Sequence, residues 1–356
     1  MENLVTGYSG KKVFVTGHTG FKGAWLTAVL HHLGAIVKGY ALEPDYRNGL
    51  YDLLAPLKIT DSVIADIRDR PRLLEELTAF QPDYVFHLAA QPLVRRSYEI
   101  PAETFDINVT GTANLLEAVS RLGKACTVVV ITTDKVYENK ERHDLLYRED
   151  DTLGGYDPYS ASKACAELVV ASFRHSFFNP ASMAIHQTSI ASARAGNVIG
   201  GGDRSRDRII PDIVKALADG RSVEVRHPDA VRPWQHVLEP IAGYLLLGTL
   251  LSKAPQSYSK PYNFGPLPEG HLSVRELVQT AIGVWGSGSW EDKSSPGTPH
   301  EAGLLKLDIS RAVKELGWMP KLDASTAIRW TLEWYRQAPD NQAAFTFQQI
   351  KAYFSI

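Results

Sequence analysis

Through the first half of the chain, short apolar runs alternate with amphipathic stretches. Lys12–Thr16 reads as a strand that enters a glycine-rich turn. Trp25, Leu26, Val29, Leu30 and Leu33 then recur at helical spacing on one side, and Gly34 supplies a left-handed stop. Ala35–Ala41, Ser62–Ala65 and Asp83–Leu88 read as further strands, and Asn108–Leu122 as a helix with Val109, Leu115, Leu116, Val119 and Leu122 as its stripe. Ala125–Ile131 is almost wholly apolar and β-branched, which predicts a strand buried on both faces of a parallel sheet. Strand–helix alternation of this kind predicts an α/β fold, a doubly wound parallel sheet with right-handed crossovers.

Beyond about residue 185 the elements shorten, and proline and glycine become denser. The reading is a first domain over 1–185 and a smaller mixed α/β domain over 186–356, some of whose segments return to the first. Asp308–Leu316 and Ala324–Tyr335 read as closing helices, and Gly286–Gly297 as a loop. A length of 356 residues accommodates this. With 44% apolar and 22% charged residues, disorder and fibrous folds are excluded. A net charge of −2 argues against a nucleic-acid partner but leaves room for a local basic pocket. No leader pattern or membrane-length apolar run is visible, so a cytoplasmic protein without a membrane partner is expected. Cys126 and Cys165 read as reduced, buried thiols, and no metal-ligand spacing stands out.

Gly17, Gly20 and Gly23 stand at i, i+3 and i+6 in Gly17-His18-Thr19-Gly20-Phe21-Lys22-Gly23. The first suits a tight turn, the second close approach to a pyrophosphate, and the third helix–strand packing. The helix N-terminus adds free N–H groups, and His18 and Lys22 are expected to add positive potential. In this context the turn reads as a dinucleotide site on a Rossmann-type sheet. Tyr159 and Lys163 form a Y-x-x-x-K pair, on one face if helical. A nearby ammonium stabilises a phenolate, which makes tyrosine a usable base. Thr133, Asp134 and Lys135 follow the buried strand, at the sheet edge where ligands sit.

The G-x-x-G-x-x-G spacing with Y-x-x-x-K resembles the extended short-chain dehydrogenase/reductase family. The resemblance implies NAD as cofactor, with Asp66 and Ile67 in the adenine-binding loop and Leu88, Ala89 and Ala90 beside the cofactor. An acid on the adenosine ribose is usual at the end of the second strand. That position falls near Ala41, and Glu43 is the nearest candidate. Thr133-Asp134-Lys135 is similar to the pattern of nucleotide-sugar 4,6-dehydratases. Lys replaces the Glu of the dTDP-glucose enzymes, and with the glycine turn and Gly39–Pro44 this resembles the CDP-glucose 4,6-dehydratases.

That resemblance implies CDP-glucose as substrate and an internal redox cycle: oxidation at carbon 4, loss of water across carbons 5 and 6, and hydride return to carbon 6. Tyr159 would be the base at the carbon 4 hydroxyl, Thr133 would orient that hydroxyl, and Lys163 would also hold the nicotinamide ribose. Asp134 would protonate the departing hydroxyl, which needs a raised pKa. Two roles are open to Lys135, a neutral carbon 5 base or a cationic enolate stabiliser. Asn197, Arg208 and Arg232 are candidates for the sugar diphosphate, and His300-Glu301 resembles a dyad that closes over the nucleotide. The resemblance also implies a homodimer, or a homotetramer, paired through the helices at Asn108–Leu122 and Tyr159–Phe173. The rival readings are another nucleotide-sugar 4,6-dehydratase, a nucleotide-sugar epimerase, an enzyme that inverts carbon 5 of amino-sugar nucleotides, and a catalytically silent NAD-sensing protein on the same fold.

Overall fold

The computed structural model describes residues 2–142, 144–205, 207–267, 270–294 and 304–355. Seven parallel strands form the central sheet. They are β1 (Lys12–Thr16), β2 (Ile36–Ala41), β3 (Asp61–Ile64), β4 (Tyr84–His87), β5 (Cys126–Ile131), β6 (Thr188–Ala195) and β7 (Pro261–Phe264). Their spatial order is 7-6-5-4-1-2-3, so the winding reverses between β1 and β4. A crevice outside the carboxyl ends of those two strands is the expected ligand position in such a sheet. Thr16 is in register with Tyr40 of β2 and His87 of β4, which fixes the turn after β1 at that crevice. All six residues of β5 are buried, as a strand covered on both faces requires.

The helices that matter for the site are α1 (Phe21–His32), α2 (Gly111–Ser120), α3 (Pro158–Ser176), α4 (Ile209–Ala218), α5 (Leu238–Lys253), α6 (Ala324–Tyr335) and α7 (Pro339–Ser355). α1 is buried from Gly23 through Leu30, not along one stripe. It packs against β1 and β2 of the sheet and against α5 and α7. Gly34 follows it at φ +78°. The stretch expected as one helix over 108–122 enters as a π-helical turn, Asp106–Thr110, before α2 continues. A π-turn inside a helix frequently marks a functional site.

Two strands beyond residue 185, β6 and β7, complete the sheet, so the later chain is interleaved with the first. A separate small core gathers Ile210, Ile213, Trp234, Leu277, Val278, Ile328 and Leu332. The expected loop over 286–297 carries a strand, Trp290–Asp292, parallel to Val223–Val225; its residues from 295 on lie outside the described set. The expected helix over 308–316 winds as a π-helix only over Ala312–Leu316, which Gly317 ends at φ +67°. α7 has no counterpart among the sequence expectations. Cys126 is buried, whereas Cys165 is only half-buried. Among the described residues no helix is long and apolar enough to cross a membrane.

Candidate active site

The glycine turn owes its shape to contacts no side chain would permit. Gly17 adopts φ +78°, and a Cβ there would lie 2.7 Å from the Ala89 backbone nitrogen. At Gly23 a Cβ would fall 2.0 Å from the Gly17 carbonyl oxygen. Gly20, the N-cap of α1, differs: a Cβ would meet only the Gly17 oxygen, at 3.4 Å. Gly20 is therefore exposed at the helix start, with no acidic side chain in the first helical turn. That surface fits an anion. Leu88 and Ala89 are fixed beside it, the Leu88 amide donating to the Thr16 carbonyl (3.1 Å) and the Ala89 amide to Thr16 Oγ1 (3.2 Å). Ala90, next along the same loop, is half-buried.

His18 does not supply the expected positive potential. Its ring is buried over Gly39, its Nε2 bonds Ser62 Oγ at 2.6 Å, and burial pulls its pKa down to about 4. It is a neutral packing group. Thr19 Oγ1 donates to the Leu42 carbonyl, and Phe21 lies against Gly200. Ala41, the last residue of β2, is buried, while Leu42 and Glu43 just past it are exposed. Asp66 is clasped by Arg68 at 2.6 Å, which holds its carboxyl below the usual range. The Ile67 side chain is a core group pressed on Gly111, so only its backbone remains for a ligand.

The Y-x-x-x-K pair lies near the start of α3, which Asp157 caps through the Ser160 amide and Pro158 opens. Tyr159, Lys163 and Glu167 follow at i, i+4 and i+8 and share one face. That face meets the end of β5. Lys163 Nζ donates to the Ile131 carbonyl at 3.3 Å, Thr132 Oγ1 donates to Glu167 Oε1 at 2.5 Å, and the Thr133 hydroxyl reaches the Tyr159 phenol. Burial pushes the phenol up to about 12, and the strongest opposing charge is Arg208, not Lys163. The Lys163 ammonium is itself pulled down to about 8 by burial, against the attraction of Glu167.

Residues Asp134–Val136 form a short 3₁₀ turn with Thr133 at its head. Asp134 is 3% exposed, and Thr133 Oγ1 donates to its Oδ1 at 3.0 Å. Burial raises its pKa, against the pull of Lys135, Thr133, Arg232 and Lys22. Burial lowers that of Lys135, helped by Arg232 and Arg208 and opposed by Asp134. Lys22, on α1, faces the same space; burial, Lys163 and Arg208 bring it down to about 7. Lys22, Lys135 and Arg232 thus bear on Asp134, while Lys163 and Arg208 bear on Lys22.

Arg208 reaches in from the N-cap of α4, and Arg232 from a two-residue strand paired with Leu272–Ser273. Asn197 lies in the turn after β6, where its carbonyl accepts the Gln235 amide at 3.1 Å. His300 and Glu301 lie outside the described residues. Sequence reasoning missed Glu167 and gave Arg194 no role, although Glu167 continues the four-residue spacing of Tyr159 and Lys163.

The family model for GDP-mannose 4,6 dehydratase matches residues 14–331. The chain is 46% identical to a CDP-glucose 4,6-dehydratase of Salmonella typhimurium, over 92% of this chain and 91% of that one. It is 31% identical to a dTDP-glucose 4,6-dehydratase of Streptomyces antibioticus, over 79% and 77%. Among solved structures, the dTDP-glucose 4,6-dehydratase DesIV of Streptomyces venezuelae, crystallised with NAD and TYD, superposes with a TM-score of 0.76 at 25% identity, covering 91% of this chain and 97% of that one. The chain belongs to the GDP-mannose 4,6 dehydratase family, within the extended short-chain dehydrogenases/reductases.

Proposed function

We propose that the chain converts CDP-glucose to CDP-4-keto-6-deoxyglucose with loss of water, using NAD held at the glycine turn. The observation that carries this reading is the meeting of Thr133, Asp134 and Lys135 with Tyr159 and Lys163 beside that turn. The 46% identity to a CDP-glucose enzyme supports the choice of sugar nucleotide. The open backbone at Gly20 and the α1 amides would hold the cofactor diphosphate, with Lys22 nearby. Bound NAD would supply a reversible hydride acceptor.

Tyr159 takes the proton of the carbon 4 hydroxyl, which Thr133 orients. The resulting ketone acidifies carbon 5. Asp134 protonates the departing carbon 6 hydroxyl, a task suited to a carboxyl whose pKa is raised. Lys135, its pKa lowered, takes the carbon 5 proton. Arg208, Arg232 and Asn197 would hold the sugar diphosphate. The sheet carries the cofactor, and the small core around α4 and α6 carries the nucleotide sugar. Exposed Leu168 and the cleft of Ala113 and Glu117 on α2, Phe173 on α3 and Phe177 just after it suit pairing with a second copy.

The test is turnover of CDP-glucose, dTDP-glucose and GDP-mannose, read by product mass. A 4-keto-6-deoxy product from CDP-glucose is expected. Turnover of only another sugar nucleotide rejects the substrate, and inversion at carbon 4 without loss of mass rejects dehydration.

A further inference from the structure

The Tyr–Lys face of α3 has a third member that neither fold nor sequence motif obliges to be charged. Glu167 is buried, at 4% exposure, one turn beyond Lys163. Its Oε1 accepts from Thr132 at 2.5 Å, and its Oε2 accepts from Ser192 at 2.7 Å and Arg194 Nη2 at 2.9 Å. Arg194, on β6 and 3% exposed, donates its other arm to the Glu149 carbonyl and the Tyr137 hydroxyl, both at 3.0 Å, and stacks on the Tyr137 ring. Tyr137 in turn donates to Asn263 on β7. A buried ion pair is weak evidence of stabilisation, because apolar residues of similar volume often serve as well.

The position of this pair suggests another use. Three successive residues from the end of β5 onward face α3: Lys163 donates to the Ile131 carbonyl, Thr132 donates to Glu167, and the Thr133 hydroxyl lies near the Tyr159 phenol. Thr132 has Glu167 as its side-chain acceptor, and its own amide donates to Ala193 of β6. The Thr133 hydroxyl that faces the phenol is therefore set by the residue before it.

We propose that Glu167, braced by Arg194, is a positioning residue for the dehydratase reaction: through Thr132 it aligns Thr133 with Tyr159, and one helical turn from Lys163 it is that amine's counter-charge. The proposal rests on the dehydratase reading above. The charged and titratable groups facing Lys163 are Glu167 and Tyr159 on its own helix, Lys22 on α1 and His87 on β4, the last held neutral by burial. Glu167 is faced by Lys163 and Arg174 on its own helix and by Arg194 on β6. Only Glu167 among these offsets the burial of Lys163.

Thr132→Val keeps shape and removes the hydroxyl, leaving the ion pair in place. Its kcat on CDP-glucose is expected to fall about tenfold with KM within about twofold, as loss of one bond to a charged group implies, while Thr132→Ser restores turnover. Unchanged kcat in Thr132→Val overturns the positioning role. Glu167→Gln, and Glu167→Gln with Arg194→Met, remove the charge. Competitive acetylation read by peptide mass spectrometry then reports Lys163 directly, and its midpoint is expected to fall by about one pH unit. An unmoved midpoint in either folded variant overturns the electrostatic role. Should the wild-type chain turn over no sugar nucleotide, the dehydratase reading fails, and the acetylation midpoint still decides the charge of Lys163. Should both charge variants fail to fold, the Thr132 pair decides.

Discussion

Asp134→Asn tests the assignment of the acid that expels the carbon 6 hydroxyl. The carboxyl is 3% exposed and accepts from Thr133 at 3.0 Å. Burial outweighs Lys135, Arg232 and Lys22, so its pKa is raised and the neutral acid is accessible. Asparagine has the same shape and keeps the acceptor for Thr133, but it has no proton to give. Removing a general acid costs about 10²–10⁴ in rate, which is about 3–5.5 kcal/mol of barrier. No cavity is made, so the urea midpoint should stay near that of the wild type. The oxidation at carbon 4 does not need Asp134. On mixing with CDP-glucose, the absorbance of reduced nicotinamide should therefore rise and persist, where the wild type shows it only in passing. A kcat within about tenfold of wild type, or a slow variant that accumulates no reduced cofactor, would refute the assignment.

Lys163 is pulled down to about 8, so its ammonium is present below that pH and lost above it. The kcat/KM of the enzyme should accordingly fall as pH rises through about 8, and an alkaline limb displaced to the pKa of an ordinary lysine would contradict the burial argument. At Gly196 a Cβ would stand 2.8 Å from the Pro233 ring and 3.1 Å from Asp134 Oδ2. Gly196→Ala should lower kcat by up to about 10²-fold by displacing that carboxyl. It should also cost about 1–3 kcal/mol in urea unfolding, and unchanged kinetics would mean that the turn after β6 does not define the site.

The strands were the most legible part of the fold, because burial on both faces leaves an almost wholly apolar run such as Cys126–Ile131. β7 was illegible for the opposite reason. Its Asn263 looks polar in sequence, yet it is fully buried and donates to the carbonyls of Tyr147 and Asp308, partners more than forty residues away. The π-turn at Asp106–Thr110 continues the apolar spacing of α2, so periodicity cannot reveal it. Within the site, Tyr159, Lys163 and Thr133 to Lys135 carry a spacing that sequence can show. The state of His18 depends on Gly39 and Ser62, which only the folded sheet brings to it.

The pocket's charge follows from the same difference between chain and fold. A net charge of −2 over 356 residues describes a nearly neutral molecule. Yet Lys22, Lys135, Lys163, Arg208 and Arg232 form one electrostatically linked cluster, and its amines are held down by burial and, for Lys22 and Lys135, by neighbouring cations. Each of these cations would be destabilising alone in a low-dielectric space. An anionic ligand reverses that balance, since it restores the ammonium forms and is attracted by all of them. The burial and repulsion that bring Lys22 down to about 7 are thus what a diphosphate bound beside it would relieve. Asp134 offsets that repulsion at Lys22 and Lys135, as Asp157 does at Lys135 and Glu167 at Lys163.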